Sequence, residues 1–195
     1  PEKVIVVREW PVPTCVGEVR SFVGLCSYYR RYVKDFARVA APLHRLTGKR
    51  VTFEWSEECQ QAFDELKVRL TSAPILAMPT DDGRYILDTD ASNFSIGAVL
   101  SQVQDGEQER VIAYASRTLV GPELNYCATR KELLAVAFYI KHFRPYLLGP
   151  REFLVRTDHS ALQWLRRMPD PEGQNARWLE RMEEYLPFTV QHRAG

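Results

Sequence analysis

Apolar residues in the first part of the chain recur at the spacing of an α-helix. In residues 14–33 they fall every three or four positions, which is the 3.6-residue period of one helix face. The same spacing recurs in residues 36–46 and again in residues 56–70. Ser56 is a good N-cap for the last of these helices. Residues 1–78 are therefore predicted to form a small, all-helical segment.

The pattern changes after Pro79. Short apolar or alternating stretches predict strands at residues 84–89, 95–103, 110–116, 152–157 and 188–192. Helical stretches follow the third and fourth of these strands, at residues 128–147, 160–167 and 175–185. The order β-β-β-α-β-α-α-β predicts an α/β fold of the α+β type, with a mixed sheet and helices packed on it. We expect this second domain to cover residues 79–195.

Charge and cysteine content narrow the possible functions only a little. The net charge is +1, but residues 30–50 contain seven Lys or Arg against a single acid, Asp35. Such a cluster suits a phosphate backbone, although a solvated surface has the same composition. The four cysteines form no CxxC pair, which favours a reduced, intracellular protein. No apolar run approaches the ~18 residues of a membrane span, so we expect no membrane partner.

Three acids of the second domain stand where a buried or half-buried side chain is expected. Asp90 and Asp158 follow the apolar runs of two predicted strands, and Glu132 lies beside two leucines in the long predicted helix. A carboxylate in such surroundings is unfavourable unless it is paired or binds a cation. The three could converge on Mg²⁺, or they could be unrelated acids in turns. Strict alternation puts Asp88 on the same face as Asp90, so spacing alone does not separate the two.

Several strings occur in the order typical of one family. In the second half they are Asp88-Thr89-Asp90-Ala91-Ser92, Lys131-Glu132-Leu133-Leu134 and Arg156-Thr157-Asp158-His159. In the first half they include Tyr28-Tyr29-Arg30-Arg31-Tyr32 and Ala62-Phe63-Asp64-Glu65-Leu66. Over essentially its whole length the chain resembles gypsy-type LTR retrotransposon polyproteins, in the thumb-like end of reverse transcriptase and the ribonuclease H domain that follows.

The resemblance implies a ribonuclease H-like fold that hydrolyses the RNA strand of RNA–DNA hybrids by a two-metal mechanism. Its cofactors would be two Mg²⁺ ions, with Mn²⁺ able to replace them. By the same resemblance, Asp90, Glu132 and Asp158 are the catalytic metal ligands, and Asp88 is peripheral. Nucleic-acid contacts are expected from Tyr28, Arg30, Arg31, Lys34, Ser92 and His159.

The sequence departs from the family pattern in two places. The family's fourth acid belongs to a helix after the last strand, whereas this sequence ends at Gly195, so we expect weak or absent cleavage by this chain alone. The polymerase motif Tyr-x-Asp-Asp is not present. The expected partners are the template–primer hybrid and the upstream palm and fingers of the same polyprotein, in a cytoplasmic virus-like particle.

Two other interpretations stay open at this point. One is a domesticated or connection-like module that binds nucleic acid or protein without cutting. The other is a nuclease or transposase of the same fold, such as an integrase. An integrase would usually bring an upstream zinc-binding His/Cys domain, and the sequence shows none.

Overall fold

The computed structural model describes residues 6–72, 76–157 and 173–192. The chain divides into two units, Pro1–Ile75 and Leu76–Gly195. Within the described residues, no helix is both long and apolar enough to cross a membrane.

The first unit contains the three helices that the apolar period predicts. They are α1 (Val16–Tyr28), α2 (Phe36–Leu46) and α3 (Glu57–Thr71). The first helix is shorter than predicted, because Tyr29 bonds back to Cys26 and the chain tightens into a 3₁₀ turn at Arg30–Tyr32. The Ser56 hydroxyl accepts the Cys59 N–H at 3.3 Å and caps α3, as predicted.

The second unit contains a five-stranded mixed sheet, which confirms the predicted fold class. Its strands are β1 (Tyr85–Ala91), β2 (Ser95–Gln104), β3 (Gln108–Thr118), β4 (Phe153–Thr157) and β5 (Phe188–His192). The spatial order is β3-β2-β1-β4-β5. The first three strands form an antiparallel meander, while β4 pairs in parallel with both β1 and β5.

The helices of this unit differ from the prediction at one point. The predicted helix at residues 128–147 is two helices, α4 (Ala128–His142) and α5 (Arg144–Leu147). Pro145 explains the break, because its ring removes an N–H and clashes with the preceding turn of a continuous helix. The helix predicted at 175–185 is α6 (Gly173–Glu183). The helix predicted at 160–167 lies outside the described residues, and a 3₁₀ turn at Gly121–Asn125 was not predicted.

The core of the second unit lies between the sheet and α4. Leu87, Leu100 and Val155 on three neighbouring strands are each 0% exposed, and the apolar face of α4 packs against this layer. The Tyr139 hydroxyl donates to the Ile96 carbonyl at 2.8 Å, which fixes α4 on β2 inside the core. This arrangement presents one side of α4 to the ends of β1 and β4.

Candidate active site

Asp90 lies inside a strand, whereas the sequence pattern predicted that the strand ends at residue 89. The strand continues because β2 pairs with it further, with Asp90 opposite Gly97 and Ala91 opposite Ile96. The Asp90 side chain is exposed, so the expectation of a buried or half-buried carboxylate is wrong at this position. Its neighbour Thr89 is only 6% exposed. Asp90 thus presents a carboxylate at the surface, between a buried threonine and a half-buried alanine.

Glu132 is the buried carboxylate of the site, with an exposed fraction of 6%. One oxygen, Oε1, accepts the Ala91 N–H at 3.1 Å, and Ala91 directly follows Asp90. The other oxygen, Oε2, accepts the Thr157 hydroxyl at 3.4 Å, and Thr157 directly precedes Asp158. A single helix-borne carboxylate therefore joins the two strand ends at which the sequence places the other two acids.

The first turn of α4 is held by aromatic contacts, which fixes the position of Glu132. The Arg130 guanidinium carbon lies 4.4 Å from the centroid of the Tyr126 ring. Tyr126 in turn packs edge-on against Trp178 of α6, with ring centroids 6.4 Å apart. Since Arg130 is two residues before Glu132, these contacts anchor the helix turn that precedes the buried carboxylate.

Asp158 and His159, both predicted site residues, lie outside the described residues. The strand that precedes them in the sequence, β4, ends at Thr157 and runs parallel to β1. The carboxyl ends of parallel neighbours meet at the same sheet edge. Within residues 6–72, 76–157 and 173–192, no group of three His, Cys, Asp or Glu side chains is placed to hold a metal ion. The predicted ligand set would need Asp158 to reach three.

The chemistry of this strand end suits a hard cation. Carboxylate oxygens are the ligands that Mg²⁺ prefers in proteins, and Asp90 and Glu132 supply them. The Thr89 hydroxyl, between Asp88 and Asp90, is buried and has no hydrogen-bond partner in the part of the chain that the structure describes. Such an orphaned polar atom calls for a water or ion nearby, but alternation directs it to the other face of β1 from Asp88 and Asp90, so the fit to a metal rests on the carboxylates. The donor set of the described residues therefore fits a divalent metal.

Asp88 has different surroundings from Asp90. Its Oδ2 lies 3.7 Å from an Arg156 guanidinium nitrogen, and Arg156 also binds Glu109 at 2.8 Å. Burial acts to lower the pKa of Arg156, but the Glu109 hydrogen bond and the two negative charges outweigh it and raise that pKa. Asp88 thus belongs to an ion-pair network across the sheet, a structural role that gives a physical basis for separating it from Asp90.

The turn between β1 and β2 is closed by Ser92. Its hydroxyl accepts the N–H groups of Phe94 and Ser95 at 3.3 and 2.9 Å. The backbone N–H of Ser92 bonds to the Ser95 carbonyl at 2.8 Å. Ser92 was predicted to contact nucleic acid, and its hydroxyl is engaged within the turn. Phe94, at the tip, is 72% exposed.

Sequence reasoning missed Lys131. Its side chain is 7% exposed and its Nζ donates to the Asn93 carbonyl, in the same turn, at 3.3 Å. The signal was available, since Lys131 lies three and four positions before Leu134 and Ala135 and so shares their apolar helix face. A lysine in that register is unusual, because lysine is almost never fully buried unless paired.

The predicted nucleic-acid surface of the first unit consists of exposed side chains. Tyr28, at the end of α1, is 76% exposed, and Arg30 and Arg31 follow in the 3₁₀ turn. The Arg30 guanidinium carbon lies 5.4 Å from the centroid of the Phe36 ring. Lys34 is exposed, while its carbonyl accepts a hydrogen bond from Arg69. Three cations and a tyrosine are therefore presented to solvent within seven residues of chain.

Comparisons with known proteins place the chain in one family. Residues 55–155 match the family model described as the RNase H-like domain found in reverse transcriptase. The chain is 41% identical over its full length to the retrovirus-related Pol polyprotein from transposon 297 of Drosophila melanogaster, of which it covers 18%. It is 36% identical over 95% of its length to the corresponding polyprotein from transposon gypsy of the same fly, covering 19%. The chain thus spans less than a fifth of these relatives.

Solved structures agree with the fold. The foamy viral protease-reverse transcriptase dRH in complex with double-stranded DNA covers the whole chain, with a TM-score of 0.78 at 20% identity, over 35% of its own length. The same viral protein in complex with an RNA/DNA hybrid covers 98% of the chain, with a TM-score of 0.76 at 21% identity, over 26% of its length. At this level of identity, the likeness supports the fold alone.

Proposed function

Because the chain belongs to the RNase H-like domains found in reverse transcriptases, we propose that it is part of a retroelement reverse transcriptase. In this proposal it cleaves the RNA strand of RNA–DNA hybrids. The observation that carries the proposal is the double contact of Glu132 with the residue after Asp90 and the residue before Asp158. It joins Glu132 to the residue that follows Asp90 in β1 and to the last residue of β4, which Asp158 follows in the sequence.

Asp90 and Glu132, with Asp158 as the third ligand, would hold Mg²⁺ or Mn²⁺. When bound, a pair of such cations would supply Lewis acidity at the scissile phosphate and a water nucleophile at neutral pH. The protein's own contribution is orientation. The neutral donors of Ala91 and Thr157 fix both oxygens of Glu132, so its carboxylate needs little reorganisation on binding a cation.

Binding of the hybrid is assigned to exposed groups at a distance in sequence from these acids. Tyr28, Arg30, Arg31 and Lys34 are exposed and basic or aromatic, which suits a phosphate backbone. Ser92 and His159 would act beside the acids. The structural relatives were solved with double-stranded DNA and with an RNA/DNA hybrid, which supports a duplex as the substrate.

The partner in the same polypeptide is proposed from the relatives. They are Pol polyproteins of which this chain covers 15 to 19%. We propose that this chain works beside an upstream polymerase palm and fingers, with the first unit acting as the thumb-like segment. The cytoplasmic virus-like particle remains the proposed location.

The test is cleavage of a labelled RNA–DNA hybrid in Mg²⁺ and in Mn²⁺, by this chain and by a version extended past Gly195. Asp90→Asn and Glu132→Gln are expected to lower the rate of the active version by more than about 100-fold. Asp88→Asn is the matched control, because Asp88 lies two residues away in the same strand but pairs with Arg156. It should retain cleavage.

The alternative is a module that binds hybrid without cutting it. It predicts that the extended chain binds a hybrid tightly and cleaves it in neither metal. Binding itself is checked by the salt dependence of affinity. Arg30→Gln and Arg31→Gln should each reduce the slope of log affinity against log salt by about 1 if both residues contact phosphates.

A further inference from the structure

Lys131 is a buried cation beside the proposed site that the proposed mechanism does not use. It precedes Glu132 in α4 and is 7% exposed. An ammonium group has three N–H donors. In the described residues, the hydrogen bond of Lys131 is the one to the Asn93 carbonyl, and its Nζ forms no ion pair there. Burying a lysine with so few partners is unfavourable for folding, so its presence needs a reason other than stability.

The contact is part of a set by which α4 holds the β1–β2 turn. Glu132 accepts the Ala91 N–H, Lys131 donates to the Asn93 carbonyl, and Tyr139 donates to the Ile96 carbonyl. Three side chains of one helix thus fix three successive backbone points on the hairpin. Asp90 directly precedes the first of these points.

Two carbonyls of this turn are bound from outside it, that of Asn93 by Lys131 and that of Phe94 by the Leu119 N–H. Ser92 closes the loop through the N–H groups of Phe94 and Ser95, and the Ser95 carbonyl accepts the Ser92 N–H. Lys131 supplies the bond to the turn that comes from a charged side chain. Because a charged donor forms stronger hydrogen bonds than a neutral one, it is suited to hold a backbone segment that must not move.

We propose that Lys131 is a positioning residue for hybrid cleavage, which fixes the β1–β2 turn and through it the backbone of Asp90. The inference rests on the proposed function, since it states how the backbone of the proposed site is held in position. The inference predicts that removing the Lys131 ammonium has opposite effects on stability and on activity. Loss of the buried charge relieves an unfavourable burial, whereas loss of the bond to Asn93 frees the turn.

The variant that tests this is Lys131→Met, which keeps most of the apolar stem and removes the ammonium. Its melting temperature should equal or exceed that of the wild type, because well-packed apolar groups often replace buried charges without loss. Its single-turnover cleavage rate should fall about 10- to 100-fold, as for other groups that support metal ligands. Hybrid affinity should not change. Lys131→Arg should cut faster than Lys131→Met, and Lys141→Met, exposed on the same helix, is the matched control.

A second readout needs neither metal nor activity. Amide hydrogen exchange at Ala91, Phe94 and Ser95 in the metal-free chain should be faster in Lys131→Met than in the wild type, and unchanged in Lys141→Met. Unchanged exchange in Lys131→Met would overturn the inference whatever the cleavage result. So would wild-type cleavage by Lys131→Met in an enzyme that Asp90→Asn silences.

The remaining outcomes separate this inference from its premise. Weaker hybrid binding by Lys131→Met, with a smaller salt slope, would make Lys131 a phosphate contact and overturn the positioning role. If no version cuts, including the wild type extended past Gly195, the proposed function fails. The inference then fails with it, even where the exchange data show that Lys131 holds the turn.

Discussion

The two units of the chain differ in what they bury. In the part of the chain that the structure describes, every buried polar or charged residue belongs to the second unit, and the core of the first is wholly apolar. The first unit therefore has ordinary packing inside and its chemistry on the surface. The second places polar groups inside the fold, where their unfavourable burial must be offset by partners or by function.

Within the second unit, the buried polar groups form two clusters at opposite ends of β1. Near its start, the Gln102 amide binds the backbone of Thr80 and Gly83. Gly83 is required there, since a Cβ would lie 2.5 Å from the Gln102 side chain. Near its end, Glu132 and Lys131 bind the backbone of the β1–β2 hairpin. The first cluster consists of neutral groups, an amide side chain and the backbone that it binds. The second contains both charged side chains, the Glu132 carboxylate and the Lys131 ammonium.

We interpret the neutral cluster as structural and the charged cluster as functional. A neutral amide satisfied on both of its atoms stabilises a fold. A buried carboxylate and a buried ammonium held by backbone groups contribute little to stability, and such groups are typical of functional sites. The comparison predicts that substitutions in the apolar core and the neutral cluster lower stability, whereas those in the charged cluster lower activity.

The largest expected effect is in the apolar core of the first unit. Phe63 is 1% exposed and its ring centroid lies 4.5 Å from that of Phe22. Phe63→Ala should lower the free energy of unfolding by about 3–5 kcal/mol. The measurement is urea denaturation followed by tryptophan fluorescence. Phe94→Ala makes the same chemical change at a residue that is 72% exposed, and a comparable loss there would contradict the burial argument.

The neutral cluster should respond less strongly. Gln102→Leu keeps the volume but leaves the Thr80 and Gly83 backbone groups without partners, which should lower the free energy of unfolding by about 1–3 kcal/mol. Hydrogen exchange at the Thr80 amide, which donates to Gln102 at 2.8 Å, should accelerate. Gln108→Leu, exposed on β3, is the control. If the two variants were equally stable, the structural role of Gln102 would be contradicted.

Periodicity predicted the helical unit well because its core is continuous and apolar. The bounds of α2 match the predicted 36–46, and α3 begins after its Ser56 cap as expected. The strand β5 has the predicted bounds of 188–192. In these places the local pattern and the packing agree. The break between α4 and α5 also had a local cause, Pro145, which the prediction passed over.

The site was less accessible to pattern reasoning. The predicted strand ended at residue 89, but pairing with β2 carries β1 through Ala91. The bond between Glu132 and Ala91 joins residues 41 positions apart, and no periodicity reports such a contact. The assignment of Asp90, Glu132 and Asp158 as metal ligands came from the family resemblance and stays a prediction.

The smallest expected effect is the change in the free energy of unfolding when an Arg–Glu ion pair is broken. We compare one such pair from each unit. In the second unit, Arg117 binds both oxygens of Glu123, at 2.7 and 2.9 Å, and the two side chains are 22% and 20% exposed. The Arg117 hydrogen bond lowers the pKa of Glu123, against the opposing effect of burial, and the Val120 N–H adds to the lowering. In the first unit, Arg69 and Glu65 form a more exposed pair, at 31% and 49%.

A carboxyl whose pKa is lower in the folded state contributes stability above its unfolded pKa, near the ordinary value of 4.5, and loses it as the pH falls through the folded pKa. Glu123→Gln should therefore lower the free energy of unfolding by about 1 kcal/mol at neutral pH. The difference from the wild type should shrink progressively in urea titrations run below pH 4.5. Glu65→Gln should lower it by about 0.5 kcal/mol or less, as for exposed pairs on one helix. If the difference in free energy of unfolding between Glu123→Gln and the wild type persisted unchanged in acid, the contact would depend on shape and not on charge. The electrostatic contrast between the two units would then be confined to the charged cluster around Glu132.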